Sequence, residues 1–314
     1  MIFAMLAGGF IGLVLGGELL IRGAVGIARR LGVSPLVIGI TLVGFGTSAP
    51  ELVTCIQAAL VGAPGLALGN VVGSNTANIL LILGLAAIVR PVHASPEAFR
   101  RDGSALVVAS LLCLGVMMLG IFDRIAGAFF VLALAAYLIA TYLHDRQNSN
   151  SNAETADETG QSFVLLGALV VGGLILTIAG ARLLVEGAID LAQALGVSET
   201  IIGLTIVAIG TSLPEVVTSV VAAWRGHSDV AFGNVVGSCI YNLLGILGIT
   251  AMVKPIPVPI EIAHFDIWVM LAATAALVVA TMTGWRVTRL EGMALLGGYI
   301  AYLGYLGMNA TAWA

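Results

Sequence analysis

The chain has 314 residues, 59% of them hydrophobic and 10% charged, a net charge of −4 and a mean hydropathy of +1.08. A soluble domain carries about a quarter charged residues, so a soluble fold is excluded and an all-α polytopic membrane protein is indicated. A membrane β-barrel is excluded as well, because its strands alternate every second residue and the apolar runs here do not.

A helix crosses the hydrocarbon core with roughly 20 apolar residues, and ten such segments are expected. The first, 2–21, begins MIFAMLAGGF without a basic n-region, so no separable signal peptide is expected. The second, 34–60, contains GFGTSAPELVT from Gly44 to Thr54, a polar turn in an otherwise apolar run. The third, 66–89, carries GNVVGS and then Asn78. The fourth and fifth span 104–121 and 125–143, and the polar stretch HDRQNSNSNAETADETGQ, 144–161, reads as a flexible cytoplasmic linker. The remaining five span 162–182, 199–224, 230–253, 265–284 and 290–310. The organisation is therefore a repeat over 1–143, a linker over 144–161 and a second repeat over 162–314.

The halves match at a constant offset of 164 residues, with 30 of 54 positions identical from Leu31/Leu195 to Gly84/Gly248. GTSAPE recurs as GTSLPE, and GNVVGS recurs with its following asparagine, Asn242. Five segments separate equivalent points, and five is odd, so the halves are expected to be inverted about an axis in the membrane plane. Ten Lys and Arg residues fall in the loops after odd-numbered segments and three on the other side. The positive-inside rule then puts both termini outside a cell (inner) membrane.

A buried carboxylate in a bilayer is costly and needs a partner. Glu51 and Glu215 have no Lys or Arg within their own or the adjacent polar segments, and Arg90 and Arg225 lie only at the ends. A bound cation is the expected partner, with one divalent or two monovalent ions balancing two carboxylates. Pro50 and Pro214 interrupt backbone bonding and are expected to free carbonyls near Gly44–Thr47 and at 208–211. Hydroxyls of Thr47, Ser48, Thr211 and Ser212 add donors, as do Ser74 with Asn78 and Ser238 with Asn242, each pair four residues apart on one helix face. Carbonyls of Gly44 and Ala208 complete an all-oxygen set, which suits a hard cation such as Ca2+. Asn70 and Asn234 are open between packing and an entry path. Cys55, Cys113 and Cys239 are isolated and read as apolar packers, although two lie near the site. The glycine-rich first and sixth segments, almost free of ligands, are expected to slide against the ligand-bearing ones.

These paired GTS-PE and GNVVGS stretches resemble the signature repeats of the Ca2+/cation antiporter superfamily, and most of all its prokaryotic Na+/Ca2+ exchangers. The resemblance covers essentially the whole chain. It implies ten helices, alternating access, and exchange of Ca2+ for Na+ with no cofactor, no enzymatic activity, no nucleic acid and no obligate protein partner. It further implies Glu51 and Glu215 as central ligands shared by both ions, Ser48, Ser74, Ser212 and Ser238 at flanking Na+ sites, backbone carbonyls of Gly44, Thr47, Ala208 and Thr211, and Asn78 and Asn242 at the middle. Some members carry Asp in place of Asn242, so the central site here is less negative. A Ca2+/H+ antiporter of the same architecture is the alternative. A channel fits an internal repeat poorly, and no HExxH or GxSxG motif supports an intramembrane enzyme.

Overall fold

The computed structural model describes residues 2–149, 162–195, 210 and 212–309, and these are almost wholly helical. Helix α1 spans Ile2–Leu31, α2 Pro35–Thr47, α3 Ala49–Leu60, α4 Pro64–Val89, α5 Pro96–Met118 and α6 Arg124–Ser149. After the linker come α7 Phe163–Ala194, α8 Leu213–Trp224, α9 Ser228–Val253, α10 Ile262–Met282 and α11 Arg289–Asn309. Seven of these are long and apolar enough to cross a membrane, and α2 with α3, bent by 44°, makes an eighth. Helix α11 adds 21 residues at the place of the tenth expected segment. Of the seventh, 199–224, positions 199–209 and 211 lie outside the described residues.

Two helices outrun their expected ends. Helix α1 continues ten residues past 21 because Ala24 and Ala28 are still buried and Arg22 reaches back one turn to the Glu18 carboxylate. It stops at Gly32, whose φ of +62° favours glycine, with Arg29 and Arg30 in its last turn complementing the helix dipole. Helix α6 runs on to Ser149, so the first residues of the expected linker are helical, while 150–161 lie outside the described residues.

Helices α4 and α9 are innermost, with 78% and 89% of their most apolar stretches buried against 22% for α6. Helices α1 and α7 pack along a glycine seam. A Cβ on Gly16 would fall 2.5 Å from the Thr177 nitrogen, and one on Gly173 would fall 2.5 Å from that of Leu20. Only small residues let membrane helices approach so closely. The smooth faces of the first and sixth segments are thus turned largely on each other. Gly17 and Gly46 make the lateral contacts, against Val217 of α8 and Leu174 of α7.

Two short antiparallel ribbons link the halves. Strand β1, Val92–His93, pairs with β4, Arg286–Val287, and β2, Ile121–Phe122, pairs with β3, Ile256–Pro257. Helix α5 separates β1 from β2 and α10 separates β3 from β4, so the ribbons lie at opposite ends of the bundle. Matching polar pins join outer helices: Tyr137 of α6 donates to Asp102 of α5 at 2.9 Å, and Tyr302 of α11 to Asp266 of α10 at 2.8 Å.

Candidate cation site

Two helix starts build the site. Ser48 leaves the helical region (φ −84°, ψ 4°) between α2 and α3, and Ser212 does the same (φ −89°, ψ 5°) ahead of α8. Pro50 and Pro214 then fall in the first turn, where an amide hydrogen would have had no helical partner. The prolines therefore open new helices. Thr54 and Thr218 brace the two starts alike, donating to the carbonyls of Pro50 at 3.0 Å and Pro214 at 2.6 Å.

Glu51 and Glu215 occupy the first turns of α3 and α8, and each is 2% exposed. A helix N-terminus presents unpaired N–H groups and a partial positive charge, which makes it the least costly place in a helix for a buried carboxylate. Ser48 donates to Glu215 Oε1 at 3.0 Å, tying the start of α3 to that of α8. Because Glu51 lies one turn beyond Ser48, the two acids come within each other's electrostatic field.

Thr47 is buried, and its hydroxyl faces the Val43 carbonyl at 3.0 Å and Asn234 Oδ1 at 3.4 Å. The Gly44 carbonyl accepts the Ser48 N–H at 3.1 Å, so it keeps one helical partner and has its second lone pair to offer. Ser212 is buried at its helix start. Ala208 and Thr211 lie outside the described residues. Ser74 and Asn78 of α4, and Ser238 and Asn242 of α9, are buried.

Eight buried side-chain atoms among the described residues lack a hydrogen-bond partner, and five belong to expected ligands. They are Glu51 Oε2, Glu215 Oε2, Asn78 Oδ1, Asn242 Oδ1 and Ser238 Oγ. Leaving one such atom unpaired costs about 1–3 kcal/mol, so each of the five calls for a compensating partner. Every one is an oxygen, the donor that Ca2+ and Na+ take. The sulfurs do not compete: Cys55 Sγ accepts from Asn70 at 3.2 Å, and Cys239 Sγ points at the Asn75 carbonyl, 3.9 Å away.

Asn75 and the π-helical turns had no counterpart in the sequence reading, and Asn70 and Asn234, left open there, take packing roles. Asn75 accepts from Asn242 at 3.0 Å and donates to the Cys239 carbonyl at 3.3 Å, bridging α4 to α9. Asn70 and Asn234 are braces within each half: Asn234 donates to Ser219 at 2.8 Å, as Asn70 does to the equivalent Cys55. Finally, π-helical turns at Gly39–Val43, Asn78–Leu83 and Tyr241–Ile246 widen the backbone beside the ligands, and such turns favour functional sites. A polar residue with a repeat mate was the available signal for Asn70 and Asn234. The π turns left none.

Known proteins are similar to this chain in sequence and fold. The family described as "Sodium/calcium exchanger protein" matches residues 1–143 and 165–308. The chain belongs to the sodium/calcium exchanger family. It is 35% identical to the sodium/calcium exchanger MaX1 of Methanosarcina acetivorans, over 96% of this chain and 97% of that one. It is 32% identical to the inner membrane protein YrbG of Escherichia coli, over 96% of both. Its fold superimposes on the sodium–calcium exchanger NCX_Mj soaked with 2.5 mM Na+ and 0.1 mM Ca2+ with a TM-score of 0.84 at 30% identity, covering 97% and 98% of the two chains. The protein is thus a multi-pass membrane antiporter of the Ca2+/cation superfamily, whose family is one of transporters and not of enzymes.

Proposed function

We propose that the protein exchanges Ca2+ for Na+ by alternating access. The observation that carries this reading is the set of five unpartnered oxygens with two buried carboxylates from α3 and α8. Glu51 and Glu215 are the central ligands, with oxygens of Thr47, Ser48, Ser74, Asn78 and their mates Thr211, Ser212, Ser238 and Asn242 around them, and carbonyls of Gly44 and Ala208 in support. Hydroxyls, amides and carbonyls suit Na+ as they suit Ca2+, which favours sodium coupling over proton coupling. The names of MaX1 and NCX_Mj point the same way.

The architecture is two inverted five-helix repeats, 1–143 and 162–314, joined by 144–161. Residues that contact their own repeat mates support a twofold axis: Asn75 bonds residue 239, 164 positions on, and a Cβ on Gly12 would touch the carbonyl of residue 176 at 3.6 Å. The two ribbons, at opposite ends of the bundle, are equivalent under the same operation. Both termini lie outside an inner membrane, a reading that rests on the ten-to-three distribution of basic residues.

The test is 45Ca2+ uptake into proteoliposomes loaded with Na+ or with Na+-free buffer, at matched and stepped pH. Uptake is expected to require the outward Na+ gradient and to vanish in Glu51→Gln and Glu215→Gln. Uptake driven by a pH step without Na+ would replace this reading with Ca2+/H+ antiport.

A further inference from the structure

Near the C-terminal end of α1, a cavity of about 300 Å³ opens between α1, α7 and the turn from α8 to α9. Arg22 and Arg29 of α1 and His227 of the turn form its polar lining, and Leu19, Val25 and Leu169 its apolar walls. Arg225, two residues before His227, donates to Glu18 Oε2 at 2.7 Å, and Arg22 holds the other oxygen of the same carboxylate. With Asp229 also in the field of His227, three guanidinium groups are met by two carboxylates, leaving an excess of one positive charge. Burial, and then the charge of Arg29, push the His227 imidazole below its ordinary pKa, so it offers a neutral N–H alongside the arginines.

The apolar walls discriminate among anions. A hydrated inorganic ion gains nothing from Leu19, Val25 and Leu169, whereas an amphiphile gains from both ends. The flanking Leu15, Leu165 and Val171 of the two membrane helices are exposed, and so offer a track for hydrocarbon chains. Basic pockets between membrane helices take anionic headgroups, and this volume, at the low end of ligand pockets, suits a headgroup and not a whole lipid. We propose that this cavity binds the phosphodiester headgroup of an anionic phospholipid, with Arg22, Arg29 and His227 on the phosphate and the acyl chains along α1 and α7. The site belongs to one leaflet only. The residues 164 positions from Arg22 and Arg29 are Glu186 and Gln193, and Ala63 stands where the other half has His227.

The test is native mass spectrometry of the full-length protein in detergent, titrated with phosphatidylglycerol or with phosphatidylcholine of the same acyl chains. Phosphatidylglycerol adducts are expected to dominate, to resist excess inorganic phosphate and to fall about tenfold in Arg29→Gln, the loss of one charge-assisted hydrogen bond. Arg29→Lys should restore most of that loss. Arg100→Gln, which removes a basic residue outside the cavity, should change nothing. Arg29 is exposed, and an unchanged melting temperature of each variant checks that it folds. Equal binding of the two lipids would overturn the proposal, as would displacement by inorganic phosphate. An equal loss in Arg100→Gln would also overturn it, by assigning the effect to general surface charge.

Discussion

Glu215→Gln separates a ligand from a structural acid, because the two roles predict opposite signs. The substitution is nearly isosteric. The amide oxygen still accepts the Ser48 hydroxyl at 3.0 Å, while an NH2 group replaces Oε2, the atom that has no partner. Without transported cations, the variant relieves repulsion between two buried carboxylates and the desolvation of one charge. It should therefore be more stable than the wild type, by about 1 kcal/mol or more. With Ca2+ the order reverses, since the new group presents hydrogens where the ion needs a lone pair. Breaking a buried charge pair costs about 3–5 kcal/mol, which is at least about 100-fold in affinity at roughly 1.4 kcal/mol per tenfold. Ligand linkage stabilises the wild type by about 2.7 kcal/mol when Ca2+ is 100 times its Kd, and the variant should show almost none of this. Thermal unfolding in choline chloride with chelator, and again with Ca2+, reads both effects. A variant less stable than the wild type in both buffers, with an undiminished Ca2+ shift, would make Glu215 a structural acid and sink the assignment.

Three further outcomes follow from the packing. Gly16→Leu should abolish a folded yield, because its Cβ alone would lie 2.5 Å from the Thr177 nitrogen, while Gly172→Ala on the facing helix, with nothing within 4 Å, should be neutral; size-exclusion profiles check both. Asn234→Ala removes the bond to Ser219 at 2.8 Å and the contact with the Glu215 carbonyl at 3.4 Å, and should lower stability by about 1–3 kcal/mol. Asn70→Ala, which loses a weaker bond to sulfur, should cost less in the same unfolding assay. Glu18→Gln weakens a partly exposed tie between α1 and Arg225, worth about 0.5 kcal/mol, so the ratio of Ca2+ half-saturation at the two faces of oriented proteoliposomes should move by about twofold; an unchanged ratio would show that the tie does not bias access.

Glu51, Pro50 and their mates were legible in the sequence because a carboxylate and a proline are conspicuous in an apolar run, and because each feature occurs twice at one offset. The helix breaks followed from the same residues. Their form did not: whether a proline bends a helix or starts a new one depends on the φ and ψ of the serine two residues before it, which packing decides. Gly44 shows the consequence, since its carbonyl keeps a partner in the Ser48 N–H. The role of Asn75 was hidden for a related reason. Its repeat mate is Cys239, so it has no matching amide to draw attention, yet the two meet where the halves cross. The glycines of α1 and α7 were legible as smooth faces, but not as each other's partners, because sequence gives the smoothness of a surface and not what packs on it.

The distribution of identity between the halves has its own logic. From Leu31 to Gly84 the repeats agree at 30 of 54 positions, and this stretch holds nearly every oxygen donor of the site. Under the proposed alternating access, exchange of fully identical halves would give two arrangements of equal energy. The bias must arise where the halves differ. Glu18 and Arg22 of α1 stand opposite Arg182 and Glu186 in α7, with the charges exchanged, and Arg225 stands opposite Val61. The bond from Arg225 to Glu18 therefore has no equivalent at the mate positions, where Val61 supplies no charge. A differential contact of this kind is what an equilibrium between two conformations responds to. On the proposed mechanism, the ion site would stay nearly symmetric while the ends of α1 and α7 set which state predominates.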